Sequence, residues 1–128
     1  MIREGIVALL EYLREREVRS ALVTNNSRKN VDLLLGRFNL RFDLVLSRES
    51  GLWKPSGAPF GHVMCEWGLH PGECCVVGDS LFDVRAALEA EIHRIYIVNE
   101  DPRIFLETGA EVFPSIPALH RRLCIHLF

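Results

Sequence analysis

Thr24, Lys54, Asp79 and Asp83 are the residues whose types and order could do chemistry together. A hydroxyl with neighbouring main-chain N–H groups donates to phosphate oxygens, and an ammonium neutralises their charge. Paired carboxylates hold a hard divalent cation through oxygen, and such a cation bridges to a phosphoryl group. Each residue also has a plainer use. Asp79 can cap a helix, Asp83 can favour that helix's dipole, Thr24 before Asn25-Asn26 suits turn chemistry, and Lys54 beside Trp53 suits a solvated surface. What separates the two readings is whether the chain brings all four to one edge.

The elements needed to do so are legible. Cys74-Cys75-Val76-Val77 is an unbroken apolar run, as in a parallel strand covered on both faces. Gly78 allows a tight turn, Asp79 ends the strand, and Ser80 caps a helix whose apolar side is Leu81, Val84 and Leu88. Upstream, an amphipathic helix is predicted from Ile2 to about Arg16, a strand over Val18–Val23 ending at Thr24, and a helix over Arg28–Phe38 capped by Ser27. A strand over Phe42–Leu46, the Trp53-Lys54-Pro55 loop and a helix over Ala58–Trp67 stopped by Gly68 follow. Downstream come a strand over Arg94–Val98, a short helix over Arg103–Glu107, a strand over Ala110–Phe113 and a terminal helix through Leu123. Alternating helix and strand implies an α/β fold, a doubly wound parallel sheet with right-handed crossovers, in one domain spanning 1–128. Ligands of such sheets bind at the carboxyl ends of the strands, where Thr24, Lys54 and Asp79 all fall.

Composition bounds the function. Hydrophobic residues make up 48% of the 128 and charged residues 25%, so the chain should bury a real core. A net charge of −2 offers no basic surface for nucleic acid, and no apolar run approaches the roughly 20 residues that cross a bilayer. No signal-peptide core follows Arg3-Glu4, so a cytoplasmic location is expected. Cys65, Cys74, Cys75 and Cys124 lack metal-ligand spacing and read as reduced, mostly buried thiols, with Cys74 and Cys75 on opposite faces of their strand. No GxGxxG follows a strand, which disfavours a dinucleotide-binding domain. A phosphoacceptor receiver domain fits poorly as well, because its acidic pair should come early and its lysine last.

Three stretches resemble, in order, motifs of the haloacid dehalogenase-like hydrolases, chiefly the branch of phosphoglycolate phosphatase-like and phosphosugar mutase-like members. They are Ala21-Leu22-Val23-Thr24-Asn25-Asn26, Lys54-Pro55-Ser56-Gly57-Ala58-Pro59-Phe60 and Val76-Val77-Gly78-Asp79-Ser80-Leu81-Phe82-Asp83. The resemblance implies a three-layer Rossmann-like core, phosphate binding by Thr24, Asn25 and Lys54, and Mg²⁺ binding by Asp79 and Asp83. Lys54 would also steady the nucleophile's charge, and the substrate would be a small phosphorylated molecule or inorganic phosphate. The family's Asp-x-Asp motif, which supplies nucleophile and general acid/base, has no counterpart. The aspartates are Asp32, Asp43, Asp79, Asp83 and Asp101, and none pairs at that spacing.

That motif follows a strand which in the family lies between those ending at Thr24 and Asp79. A central strand buries about four aliphatic side chains at ~1.5–3 kcal/mol each, comparable with a domain's whole stability of about 5–15 kcal/mol. The two flanking strands must therefore close up, be filled by another chain or by self-association, or remain marginal. Glu17 and Glu91 stand where the family ends helices with glycine, which removes an easy left-handed cap. The expectation is a truncated or inactive phosphatase core without a cap domain. The alternative is a non-catalytic phosphate- and metal-binding or regulatory module.

Overall fold

The computed structural model describes residues 4–125. The elements in order are α1 (Ile6–Glu15), β1 (Ala21–Val23), α2 (Arg28–Arg37), β2 (Leu44–Leu46), α3 (Ala58–Trp67), β3 (Val76–Gly78), α4 (Leu81–Glu89), β4 (Ile95–Val98), β5 (Glu111–Phe113) and α5 (Ile116–Ile125). Short 3₁₀ turns cover Arg48–Ser50, Pro71–Glu73 and Arg103–Phe105. The last of these replaces the short helix expected at 103–107, and each strand is shorter than its apolar run. The Ile2 start proposed for the first helix lies outside the described residues; within them the helix starts after Gly5, whose φ of 90° breaks helical geometry.

Where local signals were strong, the elements follow them. Ser27 accepts the N–H of Asn30 and caps α2, and Gly68, at φ 65°, ends α3 in the left-handed conformation. All four residues of β4 are buried because both faces are covered. Ile95 and Ile97 pack with Val76, Val84, Ala87 and Phe105 beneath α3 and α4. Tyr96 and Val98 pack with Leu9, Ile116, Leu119 and Leu123 on the side of α1 and α5. Three layers result. Cys74 and Cys75 join opposite cores as expected, and burial pushes the Cys75 thiol up to about 12. The reading of mostly buried thiols fails at Cys65 and Cys124, which lie exposed on helices.

Among the described residues all strand pairings are parallel, but the strands form two sheets, β1-β2 and β3-β4-β5. The interruption falls between β1 and β3, the two strands expected to flank the missing central strand, and of the outcomes left open there, direct closure of one on the other is not the one adopted. Neither of the two core clusters contains a residue of β1 or β2. Helix α3 spans the interruption, touching β1 on one side and α4 on the other.

Glu17 and Glu91 adopt the conformation that glycine would take, at φ 59° and 63°. Both helices therefore keep their left-handed ending, sealed by Val18 N–H to Leu13 C=O at 2.9 Å and Ile92 N–H to Ala87 C=O at 2.9 Å. The β-carbon is crowded there at roughly 1–2 kcal/mol per residue. Glu91→Gly is accordingly expected to raise the unfolding free energy by about 1 kcal/mol, read as a higher urea midpoint at unchanged slope. A lower midpoint would mean that the glutamate makes a compensating contact.

Candidate functional site

The site is assembled by loops at the carboxyl ends of β1 and β3. Thr24 follows β1, and its Oγ1 accepts the N–H of Asn26 at 3.1 Å. This turns the chain toward α2 and leaves the hydroxyl hydrogen to donate. Asn25 spends its side chain on the lysine loop: Nδ2 donates to the Lys54 carbonyl at 3.0 Å, and Oδ1 accepts the Lys54 N–H at 3.2 Å. An amide facing both main-chain groups of one residue clamps that residue. Trp53 Nε1 donates to the Arg48 carbonyl at 2.7 Å and Arg48 Nε to the Asn25 carbonyl at 3.2 Å, closing a ring of contacts around the loop.

The other end of the loop is anchored on α4. Gly57 N–H donates to Glu89 Oε1 at 3.0 Å, and a β-carbon at 57 would stand 2.8 Å from the Ala90 nitrogen. Held between these anchors, Lys54 sends its Nζ to Asp83 Oδ1 at 2.6 Å. Both partners are shielded, with side chains 18% and 5% exposed.

Asp83 is the most heavily engaged side chain of the site. Its Oδ2 accepts from Asp79 N–H at 2.9 Å, Ser80 N–H at 3.1 Å and Ser80 Oγ at 3.2 Å. The first turn of α4 is thereby capped by the carboxylate reaching back. Burial pushes the Asp83 carboxyl up, but the Lys54 charge and the hydrogen bonds outweigh it and hold the group below its ordinary value of 3.8. Gly78 makes the approach possible: a β-carbon there would overlap the Asp83 carboxyl group.

Asp79 is exposed at the mouth, with its carbonyl accepting Asn99 Nδ2 at 3.2 Å from the end of β4. The four residues singled out by type are thus brought to one edge. Thr24 is joined to Lys54 through Asn25, Lys54 to Asp83 directly, and Asp83 to Asp79 through the main chain. Asn25, expected to face phosphate, uses its side chain to position Lys54. Gly57, Glu89 and Asn99 were missed by sequence reasoning. Glu89 and Asn99 sit on separate elements from the groups they hold, so no spacing rule points to them. Gly57, between Ser56 and Ala58-Pro59, stood in the open as the small residue before a helix.

Among the described residues, no three His, Cys, Asp or Glu side chains converge as a metal cluster. Mg²⁺ commonly binds through one or two carboxylates and completes its shell with water and phosphate oxygens. Asp79 at the mouth fits such a site, with Asp83 behind it already committed to four donors. The fit is to a cation held jointly with phosphate.

The chain matches the model of the haloacid dehalogenase-like hydrolases over residues 2–97. It is 34% identical over 82 residues to a haloacid dehalogenase-like hydrolase domain-containing protein of Arabidopsis thaliana, covering 64% of this chain and 34% of that one. It is 27% identical over 130 residues to the phosphoglycolate phosphatase of Synechococcus elongatus, covering 92% of this chain and 60% of that protein. A crystal structure from Thermotoga maritima, assigned as a β-phosphoglucomutase, superposes with a TM-score of 0.85 at 25% identity, covering 98% of this chain and 60% of that one. The chain therefore spans between about a third and three-fifths of the length of these relatives. The three motifs, the parallel α/β layers and these matches agree: the chain belongs to the haloacid dehalogenase-like hydrolases, on the phosphoglycolate phosphatase and β-phosphoglucomutase-like branch.

Proposed function

We propose that this chain is the phosphate- and metal-binding portion of a phosphatase core for small phosphorylated molecules, and that by itself it binds phosphate without turning it over. The observation that carries this reading is the Lys54–Asp83 pair at 2.6 Å, clamped by Asn25 beside Thr24 at the mouth of two parallel strands. Lys54 and the Thr24 hydroxyl meet phosphate oxygens with charge and a hydrogen bond. Asp83 orients the ammonium and the Asp79 turn. Asp79 would hold Mg²⁺, which when bound supplies charge neutralisation at the phosphoryl group. Covalent transfer needs an attacking group, and the 128 residues contain no Asp-x-Asp pair to provide it.

The test has two readouts. Titration with inorganic phosphate in the presence of Mg²⁺, followed by calorimetry, is expected to give saturable binding that Lys54→Ala weakens at least about tenfold, a change of about 1.4 kcal/mol. Hydrolysis of p-nitrophenyl phosphate with Mg²⁺ is expected to stay at the buffer rate. Turnover that Asp79→Ala abolishes would refute the absence of catalysis, and phosphate binding indifferent to Lys54→Ala would refute the site.

A further inference from the structure

A cavity of about 240 Å³ lies at the amino ends of β4 and β5, the edge away from Thr24, Lys54 and Asp79. Its polar lining is His93, Arg94, Tyr96, Glu111 and Arg122. The fold brings these together: Tyr96 stands opposite Glu111 in the parallel register, and α5 returns from the carboxyl end of β5 to set Arg122 against the Tyr96 ring, 5.9 Å from its centroid. Arg94, one residue before β4, donates to the Gly72 carbonyl at 2.8 Å. Arg122 meets both Glu111 oxygens at 3.5 Å, long beside the 2.8 Å between Arg103 and Asp101. A guanidinium carries five N–H donors in a fork, so it can serve protein contacts and an anion together. Tyr96 is the decisive group. The residue is 3% exposed, yet its hydroxyl makes no hydrogen bond among the described residues. No enclosed side-chain oxygen there lacks a partner, so the hydroxyl opens onto the cavity it lines. Burial pushes the phenol above its ordinary value of 10.0, with Cys75 and Glu111 adding to the push and Arg122 and Arg94 opposing it, so the group is a donor at neutral pH.

We propose that this cavity is a second ligand site, which binds a small hydroxy carboxylate through Tyr96, Arg94 and Arg122. The carboxylate accepts from the Tyr96 hydroxyl and the two guanidiniums, whose planar forks match its two oxygens. Arg94 and Arg122 against Glu111 leave one positive charge, which a single carboxylate neutralises. A doubly charged phosphate would face the Glu111 carboxylate at close range, and like charges repel. Glu111 instead accepts from the ligand's own hydroxyl, which is the reason for a hydroxy acid over a plain one. A water takes ~30 Å³, so the space suits a ligand of no more than about eight non-hydrogen atoms. The site shares no residue with the phosphate site at the opposite edge, and the two readings stand or fall separately.

The experiment titrates the ¹⁵N-labelled chain, in phosphate-free buffer at fixed ionic strength, with lactate, propionate and inorganic phosphate in turn. Lactate is expected to shift the amides of Arg94, Tyr96, Gly109 and Glu111 along a saturable course and to leave those of Thr24, Lys54 and Asp79 in place. Propionate, the same molecule without the hydroxyl, is expected to bind at these amides at least about threefold more weakly. Tyr96→Phe, which keeps the ring and removes the donor, and Arg122→Gln, in the last turn of α5, are each expected to weaken lactate at least about tenfold. Should either variant fail to fold, the three titrations of the unmodified chain still decide. Lactate shifts confined to Thr24, Lys54 and Asp79, equal affinity for propionate, or tighter binding of phosphate at the cavity amides would overturn the proposal. So would lactate affinity unchanged in both folded variants.

Discussion

Asp83→Ala is expected to lower the unfolding free energy by about 3–5 kcal/mol, the usual cost of removing one partner of a buried ion pair. Four donors converge on that carboxylate, and the alanine would leave the Lys54 ammonium and the N–H groups of Asp79 and Ser80 in a shielded pocket without it. Lys54→Met is expected to cost less, about 1–2 kcal/mol, because Asp83 keeps its three donors from the α4 turn. The order of the two effects is the informative part. Urea denaturation of both variants and of the double variant reads it; if Lys54→Met proves the more costly, the carboxylate is not the keystone of the site. Acid should reproduce the first variant in part. The Asp83 carboxyl is held below its ordinary value in the folded chain, so its contribution is fully present above the unfolded value near 3.8 and is lost as the pH falls through the folded value. Stability measured from neutral pH downward should therefore fall over this window in the parent chain and more shallowly in Asp83→Asn.

Gly78→Ala is the second change with a large expected effect, about 2–3 kcal/mol of lost stability together with loss of the Lys54 contact. The added methyl would overlap the Asp83 carboxyl group, which is fixed by its own hydrogen bonds and cannot swing aside without releasing the α4 cap. The turn conformation is not the obstacle, since Gly78 is absent from the residues with positive φ. The strain is one of space. A shift of roughly 2–8 °C in melting temperature accompanies each kcal/mol in domains of this size range, so the variant should melt well below the parent. If Lys54 meets phosphate as proposed, phosphate binding should weaken in parallel, because that lysine is oriented by the carboxylate the methyl displaces. A variant that melts like the parent would show that the carboxyl group has somewhere else to go.

The interruption in the sheet gives these two predictions their context. Main-chain pairing joins β1 to β2 and β3 to its own partners, while the lysine loop links the two halves at their carboxyl ends. Helix α3 and this loop both bridge the interruption, so the Lys54–Asp83 pair carries structural weight as well as the role toward phosphate proposed for it.

Much of the molecule could be read from the chain as written, because its signals are local. Ser27 and Ser80 announce helix starts, Gly68 announces a stop, and the Val76-Val77 run ending in Gly78-Asp79 announces a strand feeding a helix. These depend on main-chain geometry and side-chain reach within a turn, so neighbours in sequence suffice. The order Thr24, Lys54, Asp79 along alternating elements likewise placed the three at one edge, because parallel strands send all their carboxyl ends to the same side. Other features depend on distance in space. Residues 25 and 54 meet in a two-way clamp, 89 holds 57, and 99 holds 79, across separations that no periodicity encodes. Asp83 read as one of a pair of metal carboxylates; packing reveals it committed to four protein donors, a state set by the crowding of Gly78 and the reach of Lys54. The amino-acid order by itself determined which chemical groups arrive at the mouth of the fold. Only the tertiary structure decided that the strands beneath it form two sheets, because strand pairing rests on main-chain groups that every residue carries and no side-chain pattern can number.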